Sequence, residues 1–252
     1  MSKYAIVTGD SRGLGEEVAK LFLESGVNVV GISRTRSITL PNIAKENNLN
    51  YDHHVFDVSR VSSLEDRFSQ ILDEILKDEM NTLYLVNNAA TVEPMNLATN
   101  IKSLDLIRHV NINSIAPMIL TNQFLKKATE KGIPGIAVSV TSGAANRPIY
   151  GWSAYCSTKA SIDMYTKTVA LEQEEQHSEN KVIAFNPGVM DTEMQAVIRS
   201  SSEEEFKDVK RYQDLKENNQ LNSPQIVAGV LIDILYDEDM VNGKIYDVKN
   251  YL

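Results

Sequence analysis

The chain has 252 residues, with 25 Lys and Arg against 34 Asp and Glu for a formal charge of −9, and 42% of its positions are apolar. This is the composition of an ordinary folded chain and excludes disorder, collagen and long coiled coils, while the acidic balance argues against a nucleic-acid partner, whose phosphates call for clustered Lys and Arg. No apolar run approaches the ~18–20 residues that cross a bilayer, and the start Met1-Ser2-Lys3-Tyr4 lacks a secretory apolar core, so a cytoplasmic protein with no membrane attachment is expected.

Apolar or β-branched runs at Tyr4–Thr8, Val27–Ser33, His54–Val58, Leu83–Asn87, Ile136–Thr141, Val182–Asn186 and Lys244–Val248 read as strands. Helical periodicity falls between them, near Leu14–Ser25, Ile43–Asn48, Ser63–Lys77, Ser103–Lys131, Ala154–Glu175 and Ser223–Tyr236. Strand–helix alternation at this spacing implies right-handed βαβ units. The expected architecture is α/β, a Rossmann-like doubly wound and mostly parallel seven-stranded sheet with helices on both faces, built as a single domain over 1–252. Ligands of such folds bind beyond the carboxyl ends of the strands. The lone Cys156 and the histidines His53, His54, His109 and His177 show no metal-ligand spacing, and no metal is expected.

The first strand runs directly into Thr8-Gly9-Asp10-Ser11-Arg12-Gly13-Leu14-Gly15 and then a helix. A glycine turn in that setting lets backbone approach a pyrophosphate at a helix N-terminus. After the second strand, where NAD-binding folds usually place a carboxylate on the ribose, the chain reads Gly31-Ile32-Ser33-Arg34-Thr35-Arg36. Arginine there, with Arg12 able to converge on the same anion, suits a 2′-phosphate, so the expected cofactor is NADP(H).

Tyr155 and Lys159 stand one helical turn apart and share a face. A neighbouring ammonium favours phenolate and draws the tyrosine pKa down toward a working acid/base. Ser142 stands 13 residues before Tyr155 at a strand end. A second Tyr-x-x-x-Lys pair, Tyr212–Lys216, has no such serine and reads as the solvated face of a polar helix.

Together, T-G-x-x-x-G-x-G, Asn87-Asn88-Ala89-Ala90, a serine, Y-x-x-x-K and Asn186-Pro187-Gly188 resemble the short-chain dehydrogenase/reductase family across essentially the whole chain. The segments 116–121, 151–156 and 187–195 are similar to the benzil reductases that form (S)-benzoin and to the sepiapterin reductases within it. The resemblance implies an NADPH-dependent carbonyl reductase. Tyr155 would be its proton donor, Ser142 would hold the carbonyl oxygen, Lys159 would serve the tyrosine and the ribose, and Asn113 would anchor a proton relay. It also implies cofactor contacts from Gly9, Ser11, Arg12, Gly13, Leu14, Gly15, Ser33, Arg34, Asp57, Val58, Asn88, Ala89, Tyr155, Lys159, Pro187, Gly188, Val189 and Thr192, with Asn87 bracing the sheet. Ala90 departs from the family's usual glycine.

Ser142, Trp152, Tyr155, Met190 and Met194 are the expected substrate residues, in an apolar wall that favours an aryl ketone or dicarbonyl. The segment 190–222 is expected to be a substrate lid, and Cys156 a packing residue. The helices at 103–131 and 154–175 carry surplus apolar positions, Ile112, Ile115, Met118, Ile119, Ile162, Met164 and Val169. In this family such helices pair across a two-fold axis, which implies a homodimer or homotetramer. Two other readings are 3-oxoacyl-carrier-protein reduction, for which the chain shows no basic docking patch, and an NADP(H)-sensing protein without turnover.

Overall fold

The computed structural model describes residues 2–77 and 79–252. Its elements follow in order as β1 (Ser2–Thr8), α1 (Gly13–Glu24), β2 (Asn28–Ser33), α2 (Leu40–Glu46), β3 (Tyr51–Val55), α3 (Leu64–Ile75), β4 (Met80–Asn87) and α4 (Ser103–Val110). Then come α5 (Ala116–Lys131), β5 (Gly135–Val140), α6 (Ser153–Glu175), β6 (Lys181–Asn186), α7 (Glu193–Arg199), α8 (Val209–Glu217), α9 (Pro224–Tyr236) and β7 (Ile245–Asp247). The seven strands pair in the order β3-β2-β1-β4-β5-β6-β7, and every pair is parallel. This is the expected doubly wound sheet. The chain reverses direction across the sheet between β1 and β4, so their carboxyl ends open the ligand crevice.

Alternation along the central strands sends side chains to two separate cores. Ala5, Val7, Tyr84 and Val86 pack with Phe22 and Leu231 beneath α1 and α9. Tyr4, Ile6, Leu83 and Leu85 pack with Phe68 and Phe124 beneath α3 and α5. Both faces are thus covered, which is why these strands read as near-continuous apolar runs rather than as alternating ones.

The fourth strand starts three residues early, at Met80, and α2 at Leu40 rather than Ile43; two further differences bear on the site. The third strand is Tyr51–Val55 rather than His54–Val58, because its register is set by β2, from Val29 opposite Tyr51 to Ser33 opposite Val55. β2 ends there, so Phe56 to Val58 leave the sheet, and as an edge strand β3 leaves the apolar Val55 66% exposed. The helix expected over 103–131 is interrupted by a π turn at Asn111–Ile115. Pro117 has no N–H to give the Asn113 carbonyl four residues earlier, and the wider turn swings Asn113 toward the segment after β4.

The surplus apolar positions divide. Ile112, Ile162 and Val169 are buried within the chain, whereas Ile115 and Met164 remain exposed alongside Leu104, Ile107 and Leu171. No helix among the described residues is long and apolar enough to cross a membrane.

Candidate active site

The turn from β1 to α1 presents backbone. Arg12 occupies the N-cap of α1 without a side-chain cap, so the helix N-terminus keeps N–H groups for an anion. Gly13 has φ +58°, and a Cβ there would point at the Thr192 methyl 3.5 Å away; the bare glycine makes that gap a cradle of the kind a dinucleotide pyrophosphate fits. Thr8 secures the floor. Its hydroxyl accepts from the backbone N–H groups of Asn88 and Ala89, both at 3.0 Å, while Asn88 Nδ2 donates back to Thr8 O at 3.0 Å and Gly9 O at 3.2 Å. Asn87 turns the other way, to Thr121 Oγ1 at 3.0 Å. Ser11 is half-buried, and Leu14 belongs to the core.

The end of β2 holds the one carboxylate that the spacing did not place there. Asp10 is fully buried because Gly31 leaves it room: a Cβ on Gly31 would stand 1.8 Å from Asp10 Oδ2. The Tyr51 hydroxyl donates to that oxygen at 2.5 Å, and burial followed by Asp10 pushes the Tyr51 pKa up. His53 Nε2 lies 3.9 Å from Asp10 Oδ1 and 3.0 Å from Ser33 Oγ. Ser33 donates to Thr35 O at 2.8 Å, so His53 donates to Ser33. With its carboxylate sealed under the loop, Asp10 presents nothing to a ribose, and the exposed groups at this edge are Arg34 and Arg36. Arg12 does not join them. It forms an exposed ion pair with Glu193 at the start of α7.

Beyond β3, Asp57 forms a turn by accepting from Ser59 N at 3.0 Å and faces Arg108 at 3.6 Å. Burial would raise its pKa, but the Ser59 bonds, Arg108 and Arg34 together hold it below the usual carboxylate range. Val58 beside it is buried. On the far side Pro187 is buried, Gly188 and Val189 are half-buried, and Thr192 caps α7 by accepting from Gln195 N.

Ser142 follows β5, and Tyr155 and Lys159 occupy the first turns of α6, 7% and 3% exposed. The sequence expectation of a lowered Tyr155 pKa is not met. Burial pushes it up to about 12, against a hydrogen-bonding contribution from Ser142 and with smaller additions from Tyr212 and Cys156. The Lys159 ammonium sits 5.7 Å from the Tyr155 ring centroid and donates to Val140 O at 2.7 Å. Burial draws its own pKa down to about 8, with Asp163 opposing. At neutral pH this site therefore holds a neutral phenol beside a cation, suited to giving a proton rather than taking one. Asn113 is brought alongside, its carboxamide held by both backbone groups of Thr91. His109, buried against Asn113, was not singled out from the sequence, although its i, i+4 spacing from the asparagine was there to find.

Over the first turn of α6 lies an aromatic cap. Trp152 is 5.0 Å from the Tyr155 ring, stacks on Phe206 at 4.6 Å and meets Tyr212 at 5.7 Å. Tyr212 is thus buried, not on a solvated face, because the non-polar side of α8 closes onto Trp152; only Lys216 points outward, to Asp191 at 2.6 Å. The capping segment springs from a narrow base, where Val189 and Asp191 hydrogen-bond Asn222. Met194 and Cys156 pack against this cap, whereas Met190, half-buried, packs against the core under α1 and α9.

Residues 3–203 match the short chain dehydrogenase family. A benzil reductase ((S)-benzoin forming) of Bacillus cereus is 40% identical over 243 residues, 96% of this chain and 98% of that protein. A benzil reductase ((S)-benzoin forming) of Bacillus subtilis is 39% identical over 247 residues, 98% of each. A solved short chain dehydrogenase/reductase of Saccharomyces cerevisiae superposes with a TM-score of 0.82 at 27% identity, covering 98% of this chain and 96% of that one.

Proposed function

The chain belongs to the short chain dehydrogenase family and is an oxidoreductase, and on that premise we propose that it is an NADPH-dependent carbonyl reductase acting on a ketone or aromatic 1,2-dicarbonyl, of the kind that turns benzil into benzoin. The observation that carries this reading is the buried, protonated Tyr155 set between Ser142 and Lys159, beyond the end of β5, two strands from the glycine loop after β1.

NADPH, when bound, supplies the hydride. The α1 N-terminus with Gly9 to Gly15 would hold its pyrophosphate, Asp57 and Val58 its adenine, and Ser33 and Arg34 its 2′-phosphate, joined by Arg12 when it leaves Glu193. Asn88, Ala89, Pro187, Gly188, Val189, Thr192 and Lys159 would border the nicotinamide half. Ser142 would donate to the substrate carbonyl oxygen as negative charge grows there, and Tyr155 would pass its proton to that oxygen. Lys159, charged at neutral pH, and the Asn113 relay would restore the Tyr155 proton from solvent.

Trp152 and Met194 would form the apolar wall, with Met190 half-buried at the lid base against the core beneath α1 and α9. Trp152 Nε1 is buried without a hydrogen-bond partner. Such a donor is costly to leave unpaired and suits the second oxygen of a 1,2-dicarbonyl. Substrate entry needs the segment 190–222 to lift Tyr212 and Phe206 away, and its return would exclude water. The exposed row Leu104, Ile107, Ile115 and Met164 is where a second copy would pack in a homodimer.

The test follows NADPH oxidation with benzil, a phenyl-propanedione, sepiapterin and an acetoacetyl thioester in parallel. We expect the highest kcat/KM with the aromatic diketones. NADPH binding without turnover of any carbonyl would overturn the enzyme reading, and a preference for the thioester would replace it with 3-oxoacyl reduction.

A further inference from the structure

His109 ends α4 one turn before Asn113 and is 1% exposed. Its contacts with Asn113 and Glu93 point to one arrangement. The backbone N–H of Thr91 can only donate, and it meets Asn113 Oδ1 at 2.9 Å; this fixes the orientation of the carboxamide. Asn113 Nδ2 then donates to Thr91 O at 2.8 Å and to His109 Nε2 at 3.0 Å. Nε2 must therefore offer a lone pair. Nδ1 lies 2.7 Å from Glu93 O, an acceptor, so Nδ1 carries the proton. Thr158 Oγ1 stands 3.1 Å from Nε2, in the turn of α6 between Tyr155 and Lys159, and the imidazole meets the Tyr155 ring edge-on at 6.2 Å.

A single side chain thus joins the segment after β4, the π turn and the catalytic turn of α6. We propose that His109, as the neutral Nδ1–H tautomer, is the positioning residue that holds Asn113 in register with Tyr155 and Lys159, so that proton delivery to Tyr155 depends on it. This rests on the reductase reading above, in which Asn113 serves that relay. The charged and titratable groups facing the ring are Lys159 and Tyr155 of α6; the segment after β4 offers only backbone. Burial holds the ring below the ordinary histidine range and Lys159 adds to this, while the backbone groups of Glu93 and, on α6, Ala154 oppose it. A second proton would put Nε2–H against the Asn113 N–H and release the carboxamide.

Two variants and one spectrum test this. His109→Phe fills the space without an acceptor, and His109→Gln restores one. With benzil and NADPH, His109→Phe is expected to lose about 10–100-fold in kcat, with the dissociation constant for NADPH, titrated by fluorescence, unchanged within about twofold. His109→Gln is expected to recover most of the loss. In ¹⁵N-labelled wild type, the imidazole proton should reside on Nδ1. The proposal is overturned if His109→Phe keeps kcat within about twofold, if both variants fall equally, or if the wild-type proton sits on Nε2. The spectrum decides even where His109→Phe does not fold. An inactive wild type would sink the reductase reading instead, leaving the tautomer to be judged on its own.

Discussion

Tyr155→Phe is expected to lower kcat for carbonyl reduction by about 10²–10⁴-fold, the usual worth of a positioned general acid, while NADPH affinity stays within about threefold. The substitution is sterically mild. The ring keeps its place 5.0 Å from Trp152, and only the hydroxyl is removed. That hydroxyl matters because burial pushes its pKa up to about 12: at neutral pH the proton is present to give. The wild-type rate should also depend on Lys159. Its pKa is drawn down to about 8 by burial, so the ammonium is present below that value and lost as pH rises through it. Activity should hold from neutral pH to about 8 and decline above. Steady-state kinetics across pH and fluorescence titration of NADPH check both statements, and a Tyr155→Phe enzyme with more than a tenth of the wild-type kcat would remove Tyr155 as the proton donor.

Arg34→Asp carries the second large effect, about 10²–10³-fold lower kcat/KM with NADPH and a shift of preference toward NADH. A charge-assisted bond to phosphate contributes about 1.5–3 kcal/mol, and a carboxylate there adds repulsion. Arg34 is the residue to change because the other cations are engaged: Arg12 is paired with Glu193, and Arg36 lies over the Tyr51 ring at 6.0 Å. The readout is the ratio of kcat/KM for the two cofactors. A ratio within threefold of wild type would place 2′-phosphate recognition elsewhere.

Much of this fold was legible because β1 and β4 send alternate residues into two apolar cores, leaving runs that local pattern reveals. What local pattern could not supply was pairing. β3 begins at Tyr51 because β2 sets its register, and the apolar content of 54–58 pointed three residues too far. Pro117 was visible in the sequence, but the break it helps to make depends on Thr91, which is distant in the chain. Tyr212 looked solvated because α8 is polar overall; its burial needs Trp152 and Phe206, which approach only in the folded state.

The site divides in the same way. The order of glycine loop, Ser142, Tyr155 and Lys159 could be read directly, since each follows a strand end. The environments could not. The burial that raises Tyr155 and lowers Lys159 comes from the cap and from β5, the sealing of Asp10 comes from Gly31 and Tyr51, and the grip of His109 on Asn113 comes from Thr91 and Glu93. Met190 and Met194, neighbours in sequence, diverge because one faces the core beneath α9 and the other the cap.

The most direct measurement is the fate of the transferred hydrogen. Benzil is reduced with NADPH carrying deuterium at nicotinamide C4, on each face in turn, and the product is read by mass spectrometry and NMR. Benzoin with one deuterium at the carbinol carbon, from one face only, is the expected result; unlabelled benzoin from both, or no benzoin, would contradict hydride transfer from NADPH to the carbonyl.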